Sequence, residues 1–251
     1  MSESMTTQTL MIPGNGGDQV EAYLATPDSP AKRGGVVVIH HLPGYDRGTK
    51  EITRRFAELG YDAICVNLYW REAPGAAPDD AAAVARANGG IPDSQLIGDV
   101  AGAAAYLRSL PTSNGKVGDI GYCSGGRQSV LAACNVDLDA CVDCYGAFVT
   151  GTPPEGYPLQ VTNLVDQLPG LRAPLLGLFG EEDSYPSPAA VAELEEILRA
   201  NGKVFQIHSY PGAGHAFFSV NRVAYRVEAA NDGWERITAF FGKHLTTDGE
   251  D

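Results

Sequence analysis

Short, nearly continuous apolar runs alternate with amphipathic stretches along the chain. Gly35–His41, Asp62–Leu68, Val117–Tyr122, Leu138–Tyr145, Leu175–Phe179 and Val204–Tyr210 are the apolar runs. Their length and β-branched content predict strands buried on both faces of a parallel sheet. Helices are predicted near Lys50–Leu59, closed by Gly60 as a C′ glycine, and around Asp93–Leu110, Ser124–Cys134 and Arg222–His244. A further helix over Pro188–Ala200 takes Ser187 as its N-cap. Thr9–Pro13 and Gln19–Ala25, joined by the turn Gly14–Gly17, read as a hairpin. The mixed Ala/Pro/Asp segment before Asp93 receives no assignment. Gly151–Gly170 is a Pro- and Gly-rich loop long enough to be functional. The alternation implies an α/β fold, a mostly parallel central sheet with helices on both faces. There are no repeats, low-complexity tracts or linkers, so one domain is expected over 1–251, with 1–8 and 246–251 as flexible tails.

Composition narrows the function. With 44% hydrophobic and 20% charged residues, the 251-residue chain can build a core and lacks the signature of disorder. A formal net charge of −13 repels nucleic acid and anionic membrane surfaces, so neither is an expected partner. The polar N-terminus has no basic and apolar leader pattern, and no apolar run approaches membrane-spanning length, which predicts a cytoplasmic protein. Five cysteines do not resemble a secreted disulfide framework. Cys141 and Cys144 form a C-x-x-C, but inside a predicted strand residues three apart point to opposite faces. No second pair follows at zinc spacing, so they read as structural, and no metal or organic cofactor is expected.

The chemistry concentrates at Gly121-Tyr122-Cys123-Ser124-Gly125-Gly126, between a predicted strand and a predicted helix. The pattern is G-x-nucleophile-x-G, a turn so tight that side chains two residues either side of the nucleophile would collide. Register selects Cys123, because Ser124 as nucleophile would put Tyr122 where glycine is needed. A thiol at a helix N-terminus gains thiolate character from the dipole and the free amides. An acid and a histidine should follow in that order, each just past a strand. Asp183, in Gly180-Glu181-Glu182-Asp183, and His215, in Gly212-Ala213-Gly214-His215, occupy those places, with Glu182 as the fallback acid.

These segments resemble the dienelactone hydrolase (carboxymethylenebutenolidase) family of the α/β-hydrolase superfamily. Gly-Tyr-Cys-Ser-Gly-Gly, Gly-Glu-Glu-Asp and Gly-Ala-Gly-His-Ala-Phe are similar to its three catalytic segments, and Cys65–Arg71 and Ser113–Gly118 are also similar to family stretches. The resemblance runs from about Gly17 to Leu245. It implies the α/β-hydrolase fold, Cys123 as nucleophile, His215 as base and Asp183 as its orienting acid. It also implies an oxyanion hole built from the Leu42 and Ser124 amides.

Two positions depart from the family. A glutamate that helps generate the thiolate is replaced by His41, which either contacts the thiolate or substrate or only shapes the pocket wall. An arginine that grips the substrate carboxylate is replaced by Ser219, with Arg127 either a substitute or solvent-facing. His40 and His41, neighbours at a strand end, point to opposite sides and cannot chelate. Trp70, Tyr145, Tyr185 and Phe217 lie beside the catalytic segments, where open α/β sheets place ligands. The expected activity is hydrolysis of a small ester or lactone less anionic than dienelactone, through an acyl-cysteine. The rivals are an acyl-transferring or carbon–carbon-cleaving enzyme and a non-catalytic ligand-binding or redox-responsive relative.

Overall fold

In the computed structural model, which describes residues 4–246, one eight-stranded sheet runs in the order β1-β2-β4-β3-β5-β6-β7-β8. The strands are β1 (Met5–Pro13), β2 (Gln19–Pro27), β3 (Arg33–Ile39), β4 (Asp62–Val66), β5 (Ser113–Tyr122), β6 (Ala140–Cys144), β7 (Leu175–Gly180) and β8 (Phe205–Tyr210). The β1–β2 and β2–β4 pairings are antiparallel, and all others are parallel. Parallel pairing puts the C-terminal ends of β3, β5, β6, β7 and β8 along one edge. The loops leaving that edge carry the candidate site.

The all-apolar runs have a simple cause. β3 sends Val37 and Ile39 into one core and Val36 and Val38 into the other, so it has no solvent face to make polar. Each such burial is worth roughly 1.5–3 kcal/mol. The first core is covered by α2 (Pro78–Ala87), α3 (Asp93–Ser109), α4 (Ser124–Asn135) and α5 (Pro188–Ala200). The second is covered by α1 (Arg47–Glu58) and α6 (Val227–Leu245), which bring Phe56, Phe240 and Phe241.

Two sequence expectations change, and a third lies almost wholly outside the described residues. The expected tail at 1–8 is half strand, since Met5–Gln8 belong to β1 and pair with Leu24–Pro27 of β2. As an edge strand with a largely exposed, Thr-rich surface it lacks the apolar alternation that marks a half-buried strand. Of the C-terminal tail expected at 246–251, residues 247–251 lie outside the described residues. The unassigned Ala/Pro/Asp segment contains α2, which starts on Pro78, carries Asp79 and Asp80 in its first turn and buries only alanines. Its alanines score weakly in a hydrophobic pattern although they favour helix.

Candidate active site

Cys123 is the hinge between β5 and α4. Its backbone has φ 60° and ψ −122°, outside the comfortable range of an L-residue, and it stands at the N-cap of α4. Its amide donates to the Cys144 carbonyl at 3.0 Å, and its carbonyl accepts from Gly126 at 3.0 Å. The flanking glycines are obligatory. A Cβ on Gly121 would enter the Gly125 carbonyl, and one on Gly125 would strike the Ile39 and His40 carbonyls. Three other non-glycine residues with positive φ, Tyr145, Phe148 and Ala216, lie in the turns around this one. Such strain collects where surrounding structure fixes side chains for a task.

The Asp183 and His215 loops are stitched together. Glu182 donates its amide to the Ala213 carbonyl at 2.9 Å, and Glu181 donates to Tyr210 at 3.1 Å. Gly180 leaves room for this approach, since its Cβ would meet the Ala213 oxygen. His215 Nδ1 meets Asp183 Oδ2 at 2.7 Å, while Asp183 Oδ1 accepts the Tyr185 amide at 2.9 Å. Asp183 is buried and His215 half-buried. Glu182, the fallback acid, has no bond to the imidazole among the described residues.

Charge follows from this geometry. Burial alone would raise the Cys123 thiol, but the bond to and charge of His215, helped by the Ser124 and Leu42 amides, bring it below the ordinary thiol value of 9.0. Burial likewise opposes the His215 charge, yet its bonds to Asp183 and Cys123 raise it to about 10. The two shifts share one cause, the closeness of sulfur and imidazole, which favours charge on each. The amides that stabilise the sulfur are those expected to form the oxyanion hole.

The Leu42 turn is held from behind by His40. Its Nδ1–H donates to the His41 carbonyl at 2.8 Å, and its Nε2 accepts the Leu68 amide at 3.2 Å. Burial drives this imidazole down to about 4, so it is neutral at physiological pH. The Tyr69 hydroxyl donates to the Leu42 carbonyl at 3.0 Å, and its ring meets His40 edge-on at 4.8 Å.

A cleft of about 420 Å³ opens over Cys123, Leu42, Ser124, Asp183 and His215. Of the five pocket residues expected from sequence, only Tyr185 lines it. Phe217 is fully buried, packed against Tyr145 at 5.2 Å and Phe218 at 4.7 Å. Trp70 packs against the first core. Tyr145 is buried and supports the imidazole edge-on at 5.1 Å from behind. His41 turns away, its Nε2 2.7 Å from Asp46 Oδ2. Arg127 does line the cleft, but its guanidinium is spent on both Asp93 oxygens (3.0 and 2.9 Å) and the Thr162 carbonyl. The residues that sequence reasoning missed are Phe148, Tyr157, Leu159 and Val161. Phe148 lies between Tyr157, met edge-on with ring centres 5.0 Å apart, and Tyr185, tilted at 5.5 Å. The last three come from the 151–170 loop, and its length was the one signal of them.

Fold and cleft together define an α/β-hydrolase with its candidate nucleophile on the turn after β5. The family model described as "Dienelactone hydrolase family" matches residues 20–245. A "Putative carboxymethylenebutenolidase" of Escherichia coli K12 is 35% identical over 242 residues, covering 91% of this chain and 84% of that protein. One of the same name from Methylorubrum extorquens is 32% identical over 228 residues, covering 90% and 77%. The crystal structure of a "Putative Dienelactone Hydrolase" from Klebsiella pneumoniae superposes with a TM-score of 0.84 at 29% identity, covering 96% of this chain and all of that one. The chain belongs to the dienelactone hydrolase family and is a hydrolase.

Proposed function

We propose that the protein hydrolyses a small ester or lactone through an acyl-cysteine formed on Cys123. The observation that carries this reading is the 2.7 Å bond of His215 to Asp183 in the cleft that Cys123 lines, with the thiol lowered by His215 and by the Ser124 and Leu42 amides. The thiolate attacks the carbonyl carbon, forming the S–C bond while the π pair moves onto oxygen. The Leu42 and Ser124 amides then pass from sulfur to this oxyanion, a stabilisation of about 3 kcal/mol per donor. As the C–O bond breaks, the imidazolium of His215 gives its proton to the leaving oxygen, which in a lactone stays tethered. The neutral imidazole next takes a proton from water, which attacks the thioester and expels the thiolate. Asp183 stays ionised and holds the ring with Nδ1–H toward it.

The electrostatics favour a substrate without a free carboxylate. Arg127 is neutralised by Asp93, while the Glu182 and Asp183 side chains add negative charge to a cleft in a chain of net charge −13. The apolar wall Phe148, Tyr157, Leu159, Val161 suits an acyl or alkyl group. A panel of neutral esters and lactones, each beside its carboxylate-bearing counterpart, tests both points on wild type and Cys123→Ala. The neutral members should turn over faster, and Cys123→Ala should turn over none. Preference for the free acids would overturn the substrate class, and an active Cys123→Ala the mechanism.

A further inference from the structure

A second cavity, of about 470 Å³, lies between the β3 end, α1, the Phe218–Arg222 loop and Trp234 of α6. It shares no lining residue with the catalytic cleft, though Tyr145 in its wall packs on His215. Three features distinguish it.

Its rim carries Arg47, Arg55 and Arg222 against Asp46 and Glu51, a positive balance on a protein of net charge −13. The two carboxylates are engaged: Asp46 by His41, and Glu51 by Arg47 and Arg54 at 3.7 Å. Arg55 and Arg222 have no carboxylate partner among the described residues. The guanidinium of Arg55 lies 3.8 Å above the Trp234 ring.

Its walls are aromatic, formed by Tyr122, Tyr145, Phe218 and Trp234. The first of these is nearly fully buried, and its hydroxyl has no hydrogen-bond partner among the described residues. That hydroxyl faces packed protein rather than the open cavity, so what Tyr122 offers a ligand is its ring. Space is available because Ser219 is small and His41 is drawn off toward Asp46.

We propose that this second cavity binds a small arenecarboxylate, with the ring among Tyr145, Phe218 and Trp234 and the carboxylate at Arg222 and Arg55. Both charges are guanidinium groups, which pair with carboxylates through parallel bonds. The ring would stack as aromatic pairs do.

Calorimetric titration with 1-naphthoate and with neutral 1-naphthamide tests the assignment. The titrations use wild type, protein whose Cys123 has been capped with iodoacetamide, and the variants Arg222→Ala, Arg55→Ala and Ser219→Trp. Naphthoate should bind wild type and capped protein equally, and the amide about tenfold more weakly. Arg222→Ala should weaken naphthoate by about the same factor, Arg55→Ala by somewhat less, and Ser219→Trp should abolish binding by filling the space. Loss of binding on capping Cys123, with Ser219→Trp unaffected, would place the ligand in the cleft and overturn the proposal. So would equal affinity for acid and amide, or the absence of any naphthoate binding. Because the readout is binding to capped protein, it is independent of whether Cys123 turns over esters.

Discussion

Two histidine–aspartate pairs stand on the same edge of the sheet, each with a 2.7 Å contact. In one, His215 bridges Asp183 and Cys123, so its ring sits between a carboxylate and a thiol. In the other, His41 meets Asp46, whose second oxygen accepts the Thr49 amide and caps α1. Burial works against the Asp46 charge, but the His41 bond and the Thr49 amide hold it at about 2. That carboxylate is occupied with a helix terminus, and the His41 ring makes no hydrogen bond to a second side chain among the described residues. The lesson is that the His–Asp contact is not what makes a relay. On the proposed mechanism, the third group and the fixed amides around it are what separate the two pairs.

Removing the histidines should break the symmetry most. His215→Ala, like Cys123→Ala, is expected to lower ester turnover by about 10⁴-fold or more, whereas His41→Ala should stay within about threefold. Steady-state kinetics on one ester decide this, and comparable losses in the two histidine variants would erase the distinction. The acids should follow. Asp183→Asn presents the wrong partner to Nδ1–H and should cost on the order of 10³–10⁴ in kcat, while Asp46→Asn keeps a competent N-cap and should change kcat little.

The pH behaviour sharpens the contrast further. Since His215 lowers the Cys123 thiol below 9.0, alkylation of Cys123 by iodoacetamide should already be fast below that pH. In His215→Ala the midpoint should move up, and in His41→Ala it should not. Turnover should also fall on the alkaline side as His215 loses its proton near 10, because the leaving oxygen then has no donor. The smallest effect belongs to the cap. Asp46→Ala should cost about 1 kcal/mol of stability by denaturant unfolding, with the catalytic rate retained.

What could be read from sequence divides along the same line. That Cys123, Asp183 and His215 converge on one cleft was legible because tight turns demand glycines, and Gly121, Gly125, Gly180 and the positive-φ Gly212 mark them in the chain. The buried strands were legible because a strand without a solvent face has no polar alternation. The pocket wall was not. Trp70, Tyr145 and Phe217 lie in the right segments, but whether a loop aromatic faces a cleft or the core depends on neighbours far away in sequence. Phe217, for example, is enclosed by Tyr145, Tyr210 and Phe218. Arg127 could not be discounted until Asp93, 34 residues earlier, was seen to pair with it. His41 was placed at the right strand end, and only Asp46 shows where its ring goes.

The central claim, that Cys123 carries the acyl group, is tested most directly by finding that group. Protein turning over 4-nitrophenyl acetate can be quenched in acid, digested and mapped by mass spectrometry. The acetyl group should sit on Cys123 and on no other residue. An acetyl group on Ser124, or on any other side chain whose removal stops turnover, would contradict the account.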